Sequence, residues 1–293
     1  MMTNNTEEKY LNPSVSDRSR RTEGRGQEHS NHAERTASPH DASPAATGKV
    51  VIRFLGTGDN FGSGGRFQAC IYVDTGKSRF LIDCGASSLI AMKRAGISST
   101  AIDAVLISHL HGDHFGGIPF FILDAQLISR REVPLVIAGP PGLARRAQEA
   151  MEVFYPGSSG VKRKFAVDYV ELAEDETASL GELAVLPVRV IHDSGAPSYA
   201  LRVEFAGKII AYSGDTEWTD ALRKVADGAD IFICESYFFE KQMKNHLNYR
   251  TLMIHRAELE CKRLIITHMG EDILNRLGEI ELEVAEDGLE VIL

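Results

Sequence analysis

The sequence predicts a single α/β domain over residues 49–293, and three observations support this fold class. Apolar segments typical of strands alternate with helical segments from Lys49 onward. No linker rich in Pro or Ser interrupts this alternation, which indicates one domain rather than two. Hydrophobic residues make up 43% of the 293-residue chain, which is enough to build a full core.

The N-terminal segment, residues 1–48, has a different composition. It is poor in aliphatic residues and rich in Ser, Thr, Asn, Arg, Glu and Pro, as in "SDRSRRTEGRGQEHSNHAERTASPHDASPAA". Because such a segment buries too little apolar surface to offset the entropy lost on ordering, we expect a disordered tail. Its irregularly spaced histidines are expected to have no metal-binding role. These are His29, His32 and His40.

The first half of the domain is predicted to be a sheet with crossover helices. It begins with the buried strand "KVVIRFLGTG", a hairpin of "QACIYVDTG" and "SRFLIDCG" around Gly76, and the helix "ASSLIAMKRAG", which Gly96 closes. The apolar strand "DAVLISHLHGDH" then delivers a histidine cluster at its C-terminal end. A helix within "FGGIPFFILDAQLISRR", the strand "PLVIAGP" and the helix "PPGLARRAQEAMEVF", with Pro141 near its first turn, complete this half.

The second half repeats this order in broad form. Strands are predicted for "ELAVLPVRVIHDS", "SYALRVEF", "KIIAYSGDT", "ADIFICESY" and "KRLIITHMG", and helices for "EWTDALRKVADG" and "LNYRTLMIHRAELE". Polar residues follow several of these strands, namely His192, Asp215, Glu235 and His268. Loops beyond strand ends converge on one edge of a layered α/β sheet, so we expect these residues to meet the histidine cluster there.

Net charge and cysteine content narrow the classes of function. The formal net charge is −9, so long DNA or RNA is not an expected partner. The four cysteines form no CxxC pair, and three lie in apolar runs such as "IFICES", as expected of reduced core thiols. No apolar stretch is long enough to span a bilayer and no secretion signal is recognised, so we expect a cytoplasmic protein without membrane contacts.

The stretch "SHLHGDHFGG" concentrates three histidines and one aspartate in six positions. His109 and His111 are two apart and would point to the same side of a strand. A turn at Gly112 would direct Asp113 and His114 to a second point. Two imidazoles at one point and a carboxylate with an imidazole at the other suit two metal ions a few ångströms apart. The alternative is an exposed polar loop that happens to be rich in histidine.

Five motifs, in the order "FLGTG", "SHLHGDHFGG", "VIHDS", "YSGDT" and "ITHMG", resemble those of the metallo-β-lactamase superfamily of metal hydrolases. The resemblance covers residues 49–293 and implies a four-layer αββα sandwich with a dinuclear metal site at one edge. It also implies seven ligands, which we call the predicted ligands. They are His109, His111 and His192 for the first metal, Asp113, His114 and His268 for the second, and Asp215 bridging both.

The implied ligand set indicates which type of hydrolase and which metals to expect. True β-lactamases have a cysteine where "YSGDT" supplies Asp215, so the resemblance disfavours antibiotic hydrolysis and favours hydrolase branches with a bridging aspartate. Five imidazoles and two carboxylates suit zinc best, and Mn²⁺ and Fe²⁺ also accept them. Two such cations can trap a bridging water and lower its pKa, which yields a hydroxide nucleophile near neutral pH. The alternative to an enzyme is a non-catalytic metal-binding scaffold.

The opening segment "RFLGTGDNFGSGGR" resembles the start of the ribonuclease Z and phosphodiesterase branch. That branch pairs a glutamate with a histidine that helps to protonate the leaving oxygen, and the matching residues are Glu235 in "CESYFF" and His246 in "NHLNY". A phosphodiester needs such an acid because an alkoxide leaves poorly. Asp113 is also expected to serve the reaction. Ribonuclease Z usually has Ser or Thr directly after the histidine, whereas this chain has Leu247, so the match is partial. The alternative for His246 is a surface position at a helix start.

The same opening segment carries several glycines, which would let backbone amides approach an anion, with Arg66 adding charge. A flexible surface loop is the alternative. Ribonuclease Z also has an arm that grips transfer RNA, inserted between its counterparts of His192 and Asp215. Only two strands and a turn at Gly207 fit into that interval here.

The leading hypothesis is therefore a metal-dependent phosphodiesterase that acts on a small phosphodiester, such as a cyclic nucleotide, a cyclic phosphate or a short oligonucleotide. The first alternative is ribonuclease Z-like 3′ processing of transfer RNA precursors. The second is hydrolysis of a carboxylic ester, lactone or thioester. The apolar helical segment "IPFFILDAQLI" would serve a homodimer as readily as a core.

Overall fold

A computed structural model of the chain describes residues 48–293, so the predicted tail lies outside the described residues except for Gly48. The described residues form two seven-stranded sheets. The strands of the first sheet are β1 (Val51–Gly56), β2 (Cys70–Asp74), β3 (Arg79–Ile82), β4 (Ala104–Leu106), β5 (Leu135–Gly139), β6 (Val167–Glu171) and β14 (Glu290–Ile292). Those of the second are β7 (Ala178–Leu180), β8 (Leu183–Arg189), β9 (Tyr199–Phe205), β10 (Lys208–Tyr212), β11 (Ile231–Glu235), β12 (Leu264–Thr267) and β13 (Glu283–Val284).

Both sheets combine antiparallel and parallel pairs. The strand order is β14-β1-β2-β3-β4-β5-β6 in the first sheet and β13-β12-β11-β10-β9-β8-β7 in the second. Strands β3 to β6 pair in parallel, as do β10 to β13. Parallel neighbours need crossover connections, which bring the carboxyl ends of these strands to one edge of each sheet.

The longer helices cover the outer faces of the sheets. The helices are α1 (Ser88–Arg94), α2 (Gly112–Phe115), α3 (Ile118–Leu127), α4 (Leu143–Phe154), α5 (Asp220–Ala226), α6 (Tyr249–His255) and α7 (Glu271–Leu274). Within the described part of the chain, none is long and apolar enough to cross a membrane. One apolar cluster joins α1, α3 and α4 to the first sheet, another joins α5 and α6 to the second, and a third fills the space between the sheets. These layers confirm the predicted αββα sandwich.

Most of the predicted elements are confirmed, and four strands were missed. The predicted hairpin is formed by β2 and β3, with Gly76 in the left-handed conformation that its turn requires (φ 81°). Helix α4 begins after Pro141 because Gly142, at its N-terminus, is also left-handed (φ 89°). Strands β6, β7, β13 and β14 were not predicted. Strands β7, β13 and β14 have two or three residues, which carry too little periodicity to be recognised. Strand β6 has five residues, but none of them is fully buried, so its apolar pattern is weak.

The backbone of the histidine cluster differs from the prediction. Strand β4 ends at Leu106, so His109 and His111 lie beyond the strand rather than within it. Gly112 begins the short helix α2 instead of a turn, because the carbonyl oxygen of His111 accepts from the amides of the helix. Sequence periodicity extended the strand too far, since the apolar residues that follow β4 are buried in a loop.

Two glycines hold this cluster close to the end of β3. A Cβ atom on Gly85 would lie 2.3 Å from the carbonyl oxygen of Asp113, and one on Gly117 would lie 2.3 Å from that of Gly85. The amide of Gly117 donates to the carbonyl of Cys84 (2.8 Å). Only glycine permits such an approach, so these positions fix α2 against the chain that follows β3.

Candidate metal centre

The predicted ligands meet at one edge of the two sheets. The histidine cluster follows β4, and the other three ligands follow β8, β10 and β12. Their potential ligand atoms form two groups, each with all atoms within 4.8 Å of one another. The groups are His109, His111 and His192, and Asp113, His114, Asp215 and His268. The structure brings all seven residues together, and metal binding by each of them stays a prediction.

Within each group, ring nitrogens and carboxylate oxygens face one another at short distances. In the first group, Nε2 of His192 lies 3.0 Å from Nδ1 of His111. In the second, Nε2 of His114 lies 3.2 Å from Nε2 of His268, which is itself 3.2 Å from Oδ2 of Asp113. Two imidazole nitrogens that face each other this closely are arranged as a cation would require.

Asp215 lies between the two groups. Its Oδ2 atom is 3.8 Å from Nε2 of His109 and 3.9 Å from Nε2 of His192. Towards the second group, Oδ2 is 3.5 Å from Nε2 of His268, and Oδ1 is 3.3 Å from Nε2 of His114. One carboxylate therefore reaches ligands of both groups, which is the geometry that a bridging ligand needs.

Unpaired buried atoms show that the centre fits cations. Among residues 48–293, Nε2 of His109 and Oδ1 of Asp215 are buried without a hydrogen-bond partner. An unsatisfied buried polar atom costs about 1–3 kcal/mol, and a bound cation would remove this cost. Buried nitrogen and carboxylate donors at these spacings fit divalent metal ions.

The charges of the centre favour the same conclusion. Burial lowers the pKa of His109 well below its usual value, and the neighbouring His114 lowers it further, so the ring is neutral and able to bind a metal. Burial alone would raise the pKa of Asp215, but His114 and His268 outweigh it and hold that pKa well below its usual range. Burial would lower the pKa of His268, yet Asp215 and Asp113 raise it to about 9. The carboxylates thus draw positive charge into the centre, which a metal ion would supply.

Asp83 supports the ligands from behind and was not singled out by the sequence analysis. It is fully buried after β3, where Oδ2 lies 2.7 Å from Nδ1 of His114. The same carboxylate accepts from the amide (2.8 Å) and hydroxyl (2.9 Å) of Ser108, whose Oγ is 3.0 Å from Nδ1 of His109. Its position directly after an apolar strand is the signal that could have identified it.

Replacing Asp83 with Asn is expected to weaken metal affinity by about 10–100-fold. The His114 ring loses its charged acceptor, and Ser108, which contacts the His109 ring, loses the charged acceptor that orients its hydroxyl. Competition with a chelator of known affinity measures this effect. Asp168→Asn, at an exposed position of β6, is the matched control. If Asp83→Asn retained wild-type affinity, the residue would serve the fold alone.

Glu235 and His246 form a pair beside the metal centre. Glu235 ends β11 and is fully buried, and its Oε2 lies 3.1 Å from Nδ1 of His246. His246 is half-buried, 4.0 Å from Oδ2 of Asp215, and the N-terminus of α6 is capped by Asn248 instead. Burial would lower the pKa of His246, but the hydrogen bond to Glu235 and its charge raise it. His246 therefore lies in the centre rather than at a surface helix start.

The loop that carries His246 also holds a predicted ligand. The carbonyl oxygen of Asn245 lies 2.8 Å from Nδ1 of His192, which leaves Nε2 of that ring for a metal. The backbone amide of Asn245 donates to Oε1 of Glu217 (2.8 Å). The sequence analysis missed Asn245 because a backbone carbonyl contact leaves no signal in residue type.

A cavity of about 270 Å³ opens over the centre. It is bounded by predicted ligands, by His246 and by the segment after β1. The lining residues are Asn60, Phe61, His111, Gly112, Asp113, Asp215, Tyr237, His246 and His268. The cavity is therefore large enough for a small substrate to reach both ligand groups and the Glu235–His246 pair.

The glycine-rich segment after β1 does not offer its amides to an anion. Those of Phe61 and Ser63 donate to Oδ1 of Asp59 (3.1 and 2.9 Å). Arg66 donates to the carbonyl oxygen of Ala285 (2.5 Å). The anion-binding hypothesis for this loop is not supported, because these donors are satisfied within the protein.

The chain is similar to known proteins over most of the described residues. Residues 50–282 match the family model of the anti-Pycsar protein Apyc1. Ribonuclease Z of Exiguobacterium sp. is 26% identical over an alignment of 286 positions, which spans 81% of this chain and 94% of that protein. The short form of human tRNase Z matches with a TM-score of 0.67 at 24% identity, covering 82% of this chain and 98% of that one. The metallo-β-lactamase fold protein YhfI of Bacillus subtilis matches with a TM-score of 0.66 at 19% identity, covering 84% and 100%.

Proposed function

Since the chain belongs to the family of the anti-Pycsar protein Apyc1, within the ribonuclease Z and phosphodiesterase branch of the metallo-β-lactamase superfamily, we propose that this metal-dependent hydrolase cleaves small phosphodiesters. Cyclic nucleotides, cyclic phosphates and short oligonucleotides are substrates of this kind. The observation that carries the proposal is the pair of buried Glu235 and half-buried His246, at 3.1 Å beside the two groups of predicted ligands.

We propose that the two groups hold two divalent metal ions, with Zn²⁺ the best match to their imidazole-rich donors. Bound ions supply Lewis acidity, which lowers the pKa of water and neutralises charge on a phosphoryl oxygen. The chain sets the positions of the ligands: Asp215 reaches both groups, and Asn245 orients His192. Asp113 lines the cavity and contacts His114 and His268, so it orients these rings as well as serving as a ligand.

His246 is proposed as the general acid. Its Nδ1 is engaged by Glu235, so Nε2 is the nitrogen that can donate a proton to the leaving oxygen in the cavity that His246 lines. The hydrogen bond and charge of the Glu235 carboxylate outweigh the effect of burial and raise the pKa of His246, which favours the imidazolium form that a general acid needs. An alkoxide leaves poorly without such a proton, whereas a carboxylic ester or lactone depends on it less.

The small size of the substrate is supported by the segment between His192 and Asp215. This segment contains only β9 and β10, joined by the tight turn at Ala206 and Gly207. It has no inserted arm that could grip a folded RNA. The net charge of −9 also disfavours a long polyanion, which needs several cationic contacts to its phosphates.

Processing of transfer RNA precursors is the second candidate, and one observation favours it. The ribonuclease Z of Exiguobacterium sp. is matched over 94% of its length, so the similarity is not limited to the metal-binding motifs. Cleavage of a structured precursor at low salt distinguishes this candidate from the first, because electrostatic contacts to RNA are strongest there.

Hydrolysis of bis(p-nitrophenyl) phosphate and of a p-nitrophenyl carboxylic ester tests the proposed chemistry. We expect zinc- or manganese-loaded protein to cleave the phosphodiester faster than the ester and to lose the activity on chelation. Ester hydrolysis without phosphodiester turnover would move the protein to the ester and lactone hydrolases. Binding of two metals without turnover of either substrate would support the alternative of a non-catalytic metal-binding scaffold.

Replacing Glu235 with Gln is expected to shift the alkaline limb of the pH–kcat profile to lower pH. The folded-state pKa of His246 is raised by Glu235, so the active imidazolium is present at low pH and is lost as pH rises through that pKa. Without the carboxylate charge, burial lowers this pKa and the loss begins earlier. The shift is measured from kcat for cyclic nucleotide hydrolysis between about pH 5 and pH 10. This range extends to both sides of the ordinary histidine pKa. If the alkaline limb did not move, it would report the titration of a group other than His246.

We also propose a cytoplasmic location. The four cysteines of the described residues are free, and Cys70, Cys84 and Cys234 are buried. Burial raises the pKa of the Cys70 thiol to about 12, so it stays protonated and unreactive. Reduced, structural thiols of this kind are typical of a reducing compartment.

A further inference from the structure

The proposed general acid lies on a turn whose backbone also holds a predicted ligand. We call residues 243–247 the acid turn. Within it, Asn245 adopts the left-handed conformation (φ 72°), which is uncommon for residues other than glycine. The peptide unit that joins Asn245 to His246 supplies the carbonyl oxygen that lies 2.8 Å from Nδ1 of His192. Because a peptide unit is planar and rigid, the direction of this carbonyl and the position of the His246 backbone are fixed together.

The side chain of Glu217 holds the acid turn. Its Oε1 atom accepts from the backbone amide of Asn245 (2.8 Å), the residue that contributes the carbonyl oxygen. The backbone amide of Glu217 donates to the carbonyl oxygen of Ile191 (3.1 Å), directly before His192. Glu217 also follows Asp215 by two positions. The residue therefore joins the chain segments of two predicted ligands to the turn that carries the proposed general acid.

A second carboxylate near the acid turn, that of Asp193, is less suited to fix it. Oδ2 of Asp193 lies 3.0 Å from Nζ of Lys244, and the side chain of Asn245 also hydrogen-bonds this carboxylate. The Asp193 and Lys244 side chains are 75% and 77% exposed, so solvent screens their attraction. Glu217 is half-buried and bonds the backbone of the turn rather than a flexible side chain. We therefore expect the position of the turn to depend on Glu217 more than on Asp193.

We propose that Glu217 is a positioning residue, which places the predicted ligand His192 and the proposed acid His246 through one peptide unit. This inference rests on the proposed function, because the role of His246 belongs to it. Glu217 is not among the described residues that line the cavity over the centre, so it acts through the turn and not by contact with the substrate. Loss of its carboxylate would let the Asn245 carbonyl turn away from His192 and would move the His246 ring at the same time. Metal affinity and turnover should therefore depend on the same hydrogen bond.

Replacing Glu217 with Ala is expected to weaken metal affinity about tenfold, and to lower kcat for a 3′,5′-cyclic nucleotide about tenfold at saturating metal with KM little changed. Glu217→Gln keeps an acceptor oxygen and should restore most of both values. Competition with a chelator and steady-state kinetics measure the two effects. If Glu217→Gln lost as much as Glu217→Ala, the hydrogen bond to Asn245 would not be the cause.

Two controls separate this role from a general loosening of a loop. Lys244→Ala removes an exposed ion pair on the same turn. Glu152→Ala removes a carboxylate that, like Glu217, accepts from loop amides, here those of Gly157 (2.7 Å) and Ser159 (2.9 Å). Both variants should keep wild-type metal affinity and kcat. If Lys244→Ala reproduced the losses of Glu217→Ala, the assignment to Glu217 would be wrong.

The placement of His246 can also be measured without turnover. In the zinc-loaded protein, the Nδ1 proton that His246 donates to Glu235 should give a downfield proton NMR resonance, identified by its absence from His246→Ala. We expect this resonance to be shifted or lost in Glu217→Ala and retained in Glu217→Gln.

The outcomes separate this inference from the proposed function. Weaker metal affinity with an unchanged kcat and resonance would overturn the inference, because one peptide unit could not then control both groups. A lower kcat with unchanged metal affinity, or no change in either, would overturn it as well. If the wild type cleaved no cyclic nucleotide, the proposed function would fail by itself. Chelator competition and the His246 resonance would then decide the role of Glu217.

Discussion

Replacing His246 with Ala is expected to lower kcat for a 3′,5′-cyclic nucleotide by about 10²–10⁴-fold. The leaving group of this substrate is a sugar alkoxide, which must gain a proton as its bond to phosphorus breaks. His246 lines the cavity, and Glu235 raises its pKa through a hydrogen bond at 3.1 Å. No other group in our account supplies that proton, so the loss should appear in kcat rather than in KM.

The leaving group provides an internal check on this expectation. p-Nitrophenolate leaves without protonation, so His246→Ala should reduce the hydrolysis of bis(p-nitrophenyl) phosphate far less than that of a cyclic nucleotide. His255→Ala is the matched control, because His255 stacks on Trp218 and contacts Glu258, outside the cavity. Equal losses on both phosphodiesters would mean that His246 supports the metal ligands and is not the acid.

Replacing Asp215 with Asn is expected to reduce phosphodiester hydrolysis by about 10³-fold or more and to lower the metal content below two ions per chain. Its two oxygens reach ligands of both groups, at 3.3 to 3.9 Å. An amide keeps the size but removes the charge that draws cations to both groups. Elemental analysis beside steady-state kinetics measures the two effects together.

The control for this variant is Asp220→Asn, which removes an exposed carboxylate that pairs with Arg223 at the start of α5. It should keep both metals and full activity. Two bound metals and undiminished turnover in Asp215→Asn would contradict the bridging role of the carboxylate.

The fold class was predictable because most of the strands are apolar and are separated by clear turn residues. The layers then follow, since two sheets with apolar inner faces and helix-covered outer faces have few other ways to pack. The convergence of the ligands was predictable for a related reason. Asp215 and His268 follow β10 and β12, whose parallel arrangement brings their carboxyl ends to one edge. His192 follows β8, which runs in the same direction as β10 because both are antiparallel to β9.

What the sequence could not reveal depends on contacts between distant segments. The contact of Asn245 with His192 uses a backbone carbonyl, and the bond of Asp59 to Tyr237 joins residues almost 180 positions apart. The hydrogen bonding of the glycine-rich loop could not be predicted from the sequence either. Its glycines are compatible with an anion-binding turn, and only the structure shows that Asp59 and Glu271 occupy its amides.

The most direct test of the central claim is hydrolysis of a panel of 3′,5′-cyclic nucleotides by the metal-loaded wild type, beside cleavage of a transfer RNA precursor under the same low-salt conditions. Our account predicts that cyclic nucleotides are opened to nucleoside monophosphates, that chelation abolishes this activity, and that the precursor is left intact. Accurate cleavage at the 3′ end of the precursor, with cyclic nucleotides untouched, would contradict the account and assign the centre to RNA processing.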